Sequence, residues 1–153
     1  MNDSEQTRHL EMNENLDRAL CRDFPNFFRD RHASKRETCM CYGFPGAGWE
    51  PIIREMAEAI EKLILEFPEE ERQQYRAVQM KEKFGTLRAY IHGTEAMEKI
   101  ADEAERRSRV ICEECGKPGV LRAGRWVQTR CDEHAEGRAE LKRSDDERMF
   151  FGR

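Results

Sequence analysis

Apolar residues recur at helical spacing between positions 52 and 67, and this is the most regular pattern in the chain. A spacing of three and four residues places them along one face of a helix, so the segment predicts an amphipathic helix packed on the core. Pro51 suits the first turn of that helix, and Pro68 ends it. The members of this apolar stripe are Ile52, Ile53, Met56, Ala57, Ile60, Leu63, Ile64 and Phe67.

Two strands and a second helix are predicted after that helix. Residues 75–83 and 87–92 have strand character and flank a short turn at 84–86, which predicts a β-hairpin. A helix is predicted over 95–109, with Thr94 as its N-cap. Alternation along the second strand assigns two faces: Leu87, Ala89 and Ile91 toward the core, and Arg88, Tyr90 and His92 toward the opposite side.

The first third of the chain is predicted to contain a short helix over 10–22 and a strand over 38–44. The helix is expected to end near residue 22, because Pro25 disfavours helical geometry at the preceding Phe24. Phe24, Phe27 and Phe28 form an aromatic cluster that we expect to cap the core. A partner-binding patch is the alternative interpretation of this cluster.

Two pairs of metal-ligand residues lie in the C-terminal third. Cys112 and Cys115 are separated by two residues, and Cys131 and His134 have the same gap. Tetrahedral zinc takes four nitrogen or sulfur ligands, and a two-residue gap lets one tight turn aim both ligands at a single ion. Between the pairs, two short strands and glycine-containing turns are predicted, so residues 110–135 predict a zinc ribbon. Four unmetallated side chains and a disulfide between Cys112 and Cys115 are the alternatives.

The predicted zinc is structural, because its four ligands leave no coordination position open for water or substrate. The spacing of the remaining residues offers no Ser-His-Asp set, no carboxylate pair and no phosphate-binding glycine loop. The chain is therefore predicted not to be an enzyme. Four further side chains permit a second metal site, but their irregular gaps favour buried free cysteines instead; they are Cys21, His32, Cys39 and Cys41.

Basic residues beside aromatic side chains are the candidate binding residues. On the hairpin, Lys81, Lys83 and Arg88 can form a basic ridge next to Phe84, although edge lysines also serve to discourage aggregation. The segment between the two ligand pairs contains basic residues and no acid. Three roles are open for Trp126 in that segment: an anchor for a protein partner, a platform on which a base stacks, or a filler of the small ribbon core. The ribbon candidates are Lys117, Arg122, Arg125, Trp126 and Arg130.

Composition limits the size of the core and the class of partner. The chain has 153 residues, of which 38% are hydrophobic and 38% charged, and its formal net charge is −4. We expect an α+β fold in which a small body of helices and an antiparallel hairpin carries a C-terminal zinc ribbon packed on it. The acidic balance argues against a general nucleic-acid binder. The predicted organisation is a disordered N-terminus (1–9), the body (10–109), the ribbon (110–135) and a charged tail (136–153).

No targeting signal is visible in the sequence. The first residues lack the basic and apolar regions of a signal peptide, and no apolar run approaches the ~20 residues that span a membrane. We therefore expect a cytoplasmic protein with no membrane partner, in which thiols stay reduced and can bind metal.

Four segments stand out together in this chain: Gly43-Phe44 with Gly46-Ala47-Gly48-Trp49, Lys81-Glu82-Lys83-Phe84-Gly85-Thr86-Leu87-Arg88, Cys112-Glu113-Glu114-Cys115-Gly116, and Thr129-Arg130-Cys131-Asp132-Glu133-His134. As a set they resemble a family of small, largely uncharacterised proteins of phages and prophages. An acidic residue is expected in that family where this chain has Ala47. The resemblance implies an accessory gene product of a mobile element, acting in a bacterial host cell, with no known reaction.

The sequence thus leads to two expected functions. The first is a non-enzymatic, zinc-binding accessory protein that binds and modulates a host macromolecule, most simply a host protein or protein complex. An inhibitor of a bacterial defence system, of the anti-CRISPR kind, is an example. The alternative is a nucleic-acid-binding zinc ribbon that acts in phage or host transcription or DNA metabolism, through the basic ribbon hairpin.

Overall fold

Helices and two small antiparallel sheets make up the computed structural model, which describes residues 10–142. The α+β prediction is confirmed. The predicted N-terminal segment 1–9 and the tail beyond residue 142 lie outside the described residues. The elements are α1 (Glu14–Asp23), α2 (Glu50–Leu65), β1 (Arg76–Lys83), β2 (Thr86–His92), α3 (Glu95–Ser108), β3 (Val120–Arg122) and β4 (Gln128–Arg130).

Helix α2 supplies most of the core, as its apolar stripe predicts. Six of its stripe residues are buried, while Leu63 packs partly buried against the core. Pro51 stands in the first turn of the helix. Helix α3, capped by Thr94 as predicted, lies between α2 and strand β2. The buried members of the stripe are Ile52, Ile53, Met56, Ala57, Ile60 and Ile64.

The aromatic cluster after α1 is part of the core. Phe24, Phe27 and Phe28 are all buried, so the capping interpretation is confirmed over a partner-binding patch. Glu61 of α2 holds this segment in place, because its carboxylate accepts hydrogen bonds from the main-chain N–H groups of Asn26 (3.0 Å) and Phe27 (2.8 Å). The buried carboxylate of Glu61 therefore supplies the acceptors for two N–H groups that have no main-chain partner.

Strands β1 and β2 pair around a two-residue turn in which Phe84 (φ 52°) and Gly85 (φ 79°) are left-handed. This backbone twist suits a tight hairpin, and glycine adopts it without strain. The outer edge of β2 is covered by α3: the N–H of Leu87 donates to Ser108 Oγ and that of Ala89 to Glu105 Oε1, both at 2.9 Å. The sheet is therefore closed on its β2 side.

Two local predictions are wrong. The segment 38–44 is no strand but a 3₁₀ turn, Met40–Tyr42, because the Thr38 hydroxyl accepts from Met40 N–H and the chain reverses at Gly43 (φ 85°). Arg88, expected on the open face of β2, is buried. Helix α1 also starts later than predicted, since Asn13 caps it by accepting from Leu16 N–H.

The ribbon continues past residue 135, where the charged tail was expected to begin. Ala123 N–H donates to the carbonyl of Ala139 (2.8 Å), and Leu141 N–H donates to that of Leu121 (2.8 Å). The segment 139–141 therefore pairs with β3 through an isolated antiparallel bridge between Arg122 and Glu140. None of the described helices combines the length and apolar character needed to cross a membrane.

Candidate metal centre

Cys112, Cys115, Cys131 and His134 lie together at the base of the ribbon, with their ligand atoms all within 4.8 Å of one another. The Sγ atoms of Cys115 and Cys131 are 3.6 Å apart, and His134 Nδ1 is 3.2 Å from Cys131 Sγ and 3.8 Å from Cys112 Sγ. A tetrahedral ion with metal–sulfur bonds near ~2.3 Å places its ligand atoms roughly 3.5–3.8 Å apart. The four side chains therefore fit a single tetrahedral metal ion.

Each half of the centre is shaped by a tight turn. Gly116 (φ 80°) donates its N–H to the carbonyl of Cys112 at 2.9 Å, and Cys112 N–H donates to the carbonyl of Lys117 at 2.8 Å. The second half is a 3₁₀ turn, Asp132–His134, that follows Cys131 directly. These turns bring two ligands from each half to the same point.

The electrostatics of the centre favour a thiolate at Cys131. Desolvation raises the pKa of this thiol, but hydrogen bonds from His134 and from the other two cysteines outweigh it and lower the pKa to about 7. Desolvation also raises the pKa of Cys115. Since metals bind the thiolate, ion binding must displace a proton from Cys115, and metal affinity is expected to rise with pH.

A socket in the body receives the first half of the centre. Gly48 N–H donates to the carbonyl of Glu113 (2.7 Å), and Trp49 Nε1–H donates to that of Ile111 (2.9 Å). A Cβ atom on Gly48 would overlap the carbonyl oxygen of Cys112, so only glycine allows this approach. We call Gly46, Gly48 and Trp49 the glycine socket.

A buried ion pair links the socket to the second half of the centre. Glu113 Oε2 accepts from Gly46 N–H at 2.9 Å, and Glu113 Oε1 lies 3.3 Å from Arg130 Nη1. The two charged side chains are only 3% and 6% exposed. Burial raises the pKa of the Glu113 carboxyl. The hydrogen bond from Gly46 N–H and the positive charge of Arg130 act in the opposite direction, but the increase prevails. Arg130 thus serves the interior of the ribbon.

The turn of the β1–β2 hairpin also rests on the ribbon. Thr129 Oγ1 donates to the carbonyl of Gly85 at 2.6 Å, and a Cβ on Gly85 would lie 2.6 Å from Leu121 Cδ1. Glu113 N–H in turn donates to the carbonyl of Thr129 (3.2 Å). All four segments that carry the phage resemblance therefore meet at or beside the metal centre.

Three of the predicted binding residues are turned inward. Arg88, Arg122 and Arg130 are buried. Arg122 donates to the carbonyl of Arg130 (3.1 Å) and pairs with Asp132 (2.8 Å). The sequence did not reveal this burial, because the pattern cannot distinguish an arginine that braces a ribbon from one that faces solvent.

Four residues are exposed at two turns: Lys83 and Phe84 at the hairpin turn, which rests on β3 and β4, and Arg125 and Trp126 between β3 and β4. We call these four residues the two-turn surface. Phe84 and Trp126 are each 54% exposed, so Trp126 does not fill the ribbon core. Lys83 Nζ lies 5.6 Å from the centre of the Phe84 ring. Arg138 donates to the carbonyl of Trp126 (2.9 Å) and so fixes the ribbon turn.

The other two predicted lysines are not part of the two-turn surface. Lys117 is exposed and forms an ion pair with Glu133 (3.2 Å), while Lys81 is half-buried on β1. The sequence identified the ligands but missed Gly46, Gly48 and Glu113 as parts of the centre. The sequence signal that could have indicated the glycine socket is the segment Gly46-Ala47-Gly48-Trp49.

The second metal site that the sequence permitted as an alternative is not assembled in the described part of the chain. Among residues 10–142, the Cys112 centre is the one group of metal-ligand side chains close enough to share an ion. Cys39 is exposed, contrary to the expected buried cysteines, whereas Cys21 and Cys41 are half-buried. Burial beside Asp17 raises the pKa of Cys21 to about 11. Cys21 is therefore an unreactive core thiol.

Comparisons with protein-family models, with curated proteins and with solved structures each found no match. The resemblance to phage and prophage proteins thus stays a prediction from the sequence. Function has to be argued from the ligand set, its packing and the exposed residues.

Proposed function

We propose that Cys112, Cys115, Cys131 and His134 bind Zn²⁺ as a structural ion. Three soft thiolates and one imidazole suit zinc, and four protein ligands leave no open position for catalysis. The zinc joins the two halves of the ribbon, and the glycine socket joins the ribbon to the body. On this proposal the ion stabilises a surface and performs no reaction.

The protein then acts as a non-enzymatic accessory protein that binds a host protein through the two-turn surface. The observation that carries this proposal is the exposure of Phe84 and Trp126 on turns whose carbonyl groups accept hydrogen bonds from Thr129 and Arg138. Large exposed aromatic residues on a fixed backbone are typical anchors of protein interfaces, because little conformational entropy is lost on binding.

Charge favours a protein partner over nucleic acid. Arg122 and Arg130 are buried and make contacts within the protein, and Lys117 forms an ion pair with Glu133. The whole chain carries a net charge of −4. A general nucleic-acid binder needs several free cations along one face. Together with the phage resemblance, this favours a protein of the bacterial host, and an inhibitor of a defence system is the specific form that we propose.

Nucleic acid is the second candidate, supported by one specific arrangement. Each exposed aromatic residue of the two-turn surface has a basic neighbour in sequence: Lys83 beside Phe84, and Arg125 beside Trp126. Stacking on an aromatic ring with a nearby cation is how many proteins bind single strands.

Pull-down from a bacterial lysate separates the two candidates. The bait is the full chain, compared with the double variant Phe84→Ala/Trp126→Ala and with Leu65→Ala, which removes an exposed apolar residue from α2. We expect nuclease-resistant capture of a protein that the double variant loses and Leu65→Ala retains. Capture that nuclease abolishes, with steep weakening by salt, would support nucleic acid. Equal capture by the double variant would refute the surface.

A further inference from the structure

The outer edge of β1 carries a main-chain donor and acceptor that point away from β2. Met80 stands opposite Ala89, and the N–H of Ala89 points outward to Glu105. In an antiparallel ladder both members of such a pair direct their N–H and C=O groups outward. The N–H and C=O of Met80 therefore face the free side of β1.

The beginning of this edge is occupied, but the part at Met80 is not. Ala77 N–H donates to the carbonyl of Phe27 (2.8 Å), and the hydroxyl of Thr38 donates to the carbonyl of Val78 (3.3 Å). Within residues 10–142 no donor or acceptor meets Met80 from the edge side. Met80 is only 3% exposed, so its polar main chain is both buried and unpaired. Such groups normally have a partner.

A cavity of about 260 Å³ lies against this part of the edge. It is lined by four consecutive residues of β1, 79–82, and by the segment 42–45 on the facing wall. Successive side chains of a strand point to opposite faces, so four in a row can line one cavity only along the strand's edge. Leu10, Phe44 and Pro45 supply an apolar wall, and the exposed Tyr42 stands at its rim.

We propose that this cavity receives an extended segment of the partner protein, which adds to β1 as a short strand at Met80; this rests on the proposed binding of a host protein. The complementary chemistry is a main-chain N–H and C=O on the same side of an extended peptide, with one apolar side chain for the wall beside Phe44. The site goes beyond the two-turn surface, yet β1 leads through Lys83 into the Phe84 turn. One partner can therefore contact both.

The test uses a phage-displayed library of random twelve-residue linear peptides, selected on the full, zinc-loaded chain. Affinity of selected peptides is measured by fluorescence anisotropy against two matched variants. Met80→Ala and Met80→Pro both remove the side chain, but only proline lacks the N–H that faces the cavity. We expect Met80→Ala to bind within about 3-fold of the wild type and Met80→Pro at least about 10-fold more weakly. Equal affinity of the two variants, or no enriched peptide, overturns the proposal.

Amide hydrogen exchange supplies a second readout that does not depend on the proline variant folding. In the free chain the Met80 amide should exchange faster than those of Gln79 and Lys81, which face β2. Selected peptides should slow its exchange at least about 10-fold, and no change on binding overturns the proposal. If the double variant Phe84→Ala/Trp126→Ala still binds the selected peptides, the cavity is a binding site separate from the two-turn surface.

Two other occupants are also tested. If deletion of residues 1–9 strengthens peptide binding at least about 10-fold, the chain's own N-terminal segment is the native occupant and the partner assignment is overturned. Self-association in sedimentation experiments that Met80→Pro abolishes and Met80→Ala retains would assign the cavity to a second copy, again overturning it.

Discussion

Glu113→Ala removes one half of an ion pair that is almost wholly buried between the ribbon and the body. It leaves the Arg130 guanidinium with the more distant Glu114 carboxylate (4.0 Å) as its ionic partner, and Gly46 N–H without its acceptor. Both charged side chains are less than a tenth exposed, so solvent cannot take over either role. Breaking a buried pair from one side typically costs roughly 3–5 kcal/mol of unfolding free energy.

That cost converts to a large shift in melting temperature. For a chain of this size about 1 kcal/mol corresponds to about 2–4 °C, so we expect a decrease of roughly 6–20 °C. The assay is thermal unfolding of the metal-loaded protein followed by circular dichroism, with metal content measured on the same samples. The expected loss reflects a buried charge deprived of its closer partner and does not measure the strength of the pair itself.

The control for this interpretation removes both charges. Glu113→Ala/Arg130→Met has no buried ion left to satisfy, so it should recover much of the loss seen in the single variant. A single variant within about 1 kcal/mol of the wild type would refute the reasoning. So would a double variant that is destabilised by the sum of the two single changes.

Three further predictions concern the centre and the thiols. Cys112→Ser should lose bound metal and at least about 4 kcal/mol of unfolding free energy together, and metal loss at unchanged stability would contradict a structural ion. Gly48→Ala should lower the unfolding free energy by about 1–3 kcal/mol, because its Cβ overlaps the Cys112 carbonyl; an unchanged denaturation midpoint would rule out the glycine socket. Iodoacetamide at pH 8 should label the exposed Cys39 first and Cys21, with its pKa of about 11, on the order of 100-fold more slowly than an ordinary thiol, as read by mass mapping. Comparable labelling of both would show that Cys21 is not held in the core.

Local patterns were sufficient for the elements and the ligand set. The stripe of α2, the two strands of the hairpin and the two-residue ligand gaps each span only a few residues, and all of them reappear in the structure. The predicted alternation along β2 fails at Arg88, which is buried. The strand expected over 38–44 failed because strand character is set by what a segment pairs with, and a hydroxyl of Thr38 offered the chain a turn instead.

Long-range contacts account for what the sequence could not disclose. Glu113 and Gly46 are separated by 67 residues, and nothing in either neighbourhood signals their hydrogen bond. Arg88, Arg122 and Arg130 were expected at the surface because arginine is mostly exposed in proteins. Arg122 and Arg130 are held by contacts with Arg138 and Glu113, which are 16 and 17 residues away along the chain, and such contacts are a property of tertiary packing.

The glycine socket also couples two properties that are usually measured separately. Gly48 is not a metal ligand, but its N–H donates a hydrogen bond to the carbonyl of Glu113, the residue that follows the ligand Cys112. Any free energy by which the socket orders that turn must appear in the affinity for the ion, since binding linkages are reciprocal. A change of about 1.4 kcal/mol in docking therefore alters metal affinity about tenfold. Metal retention at low free-ion concentrations consequently reports whether a region far away in the sequence has folded.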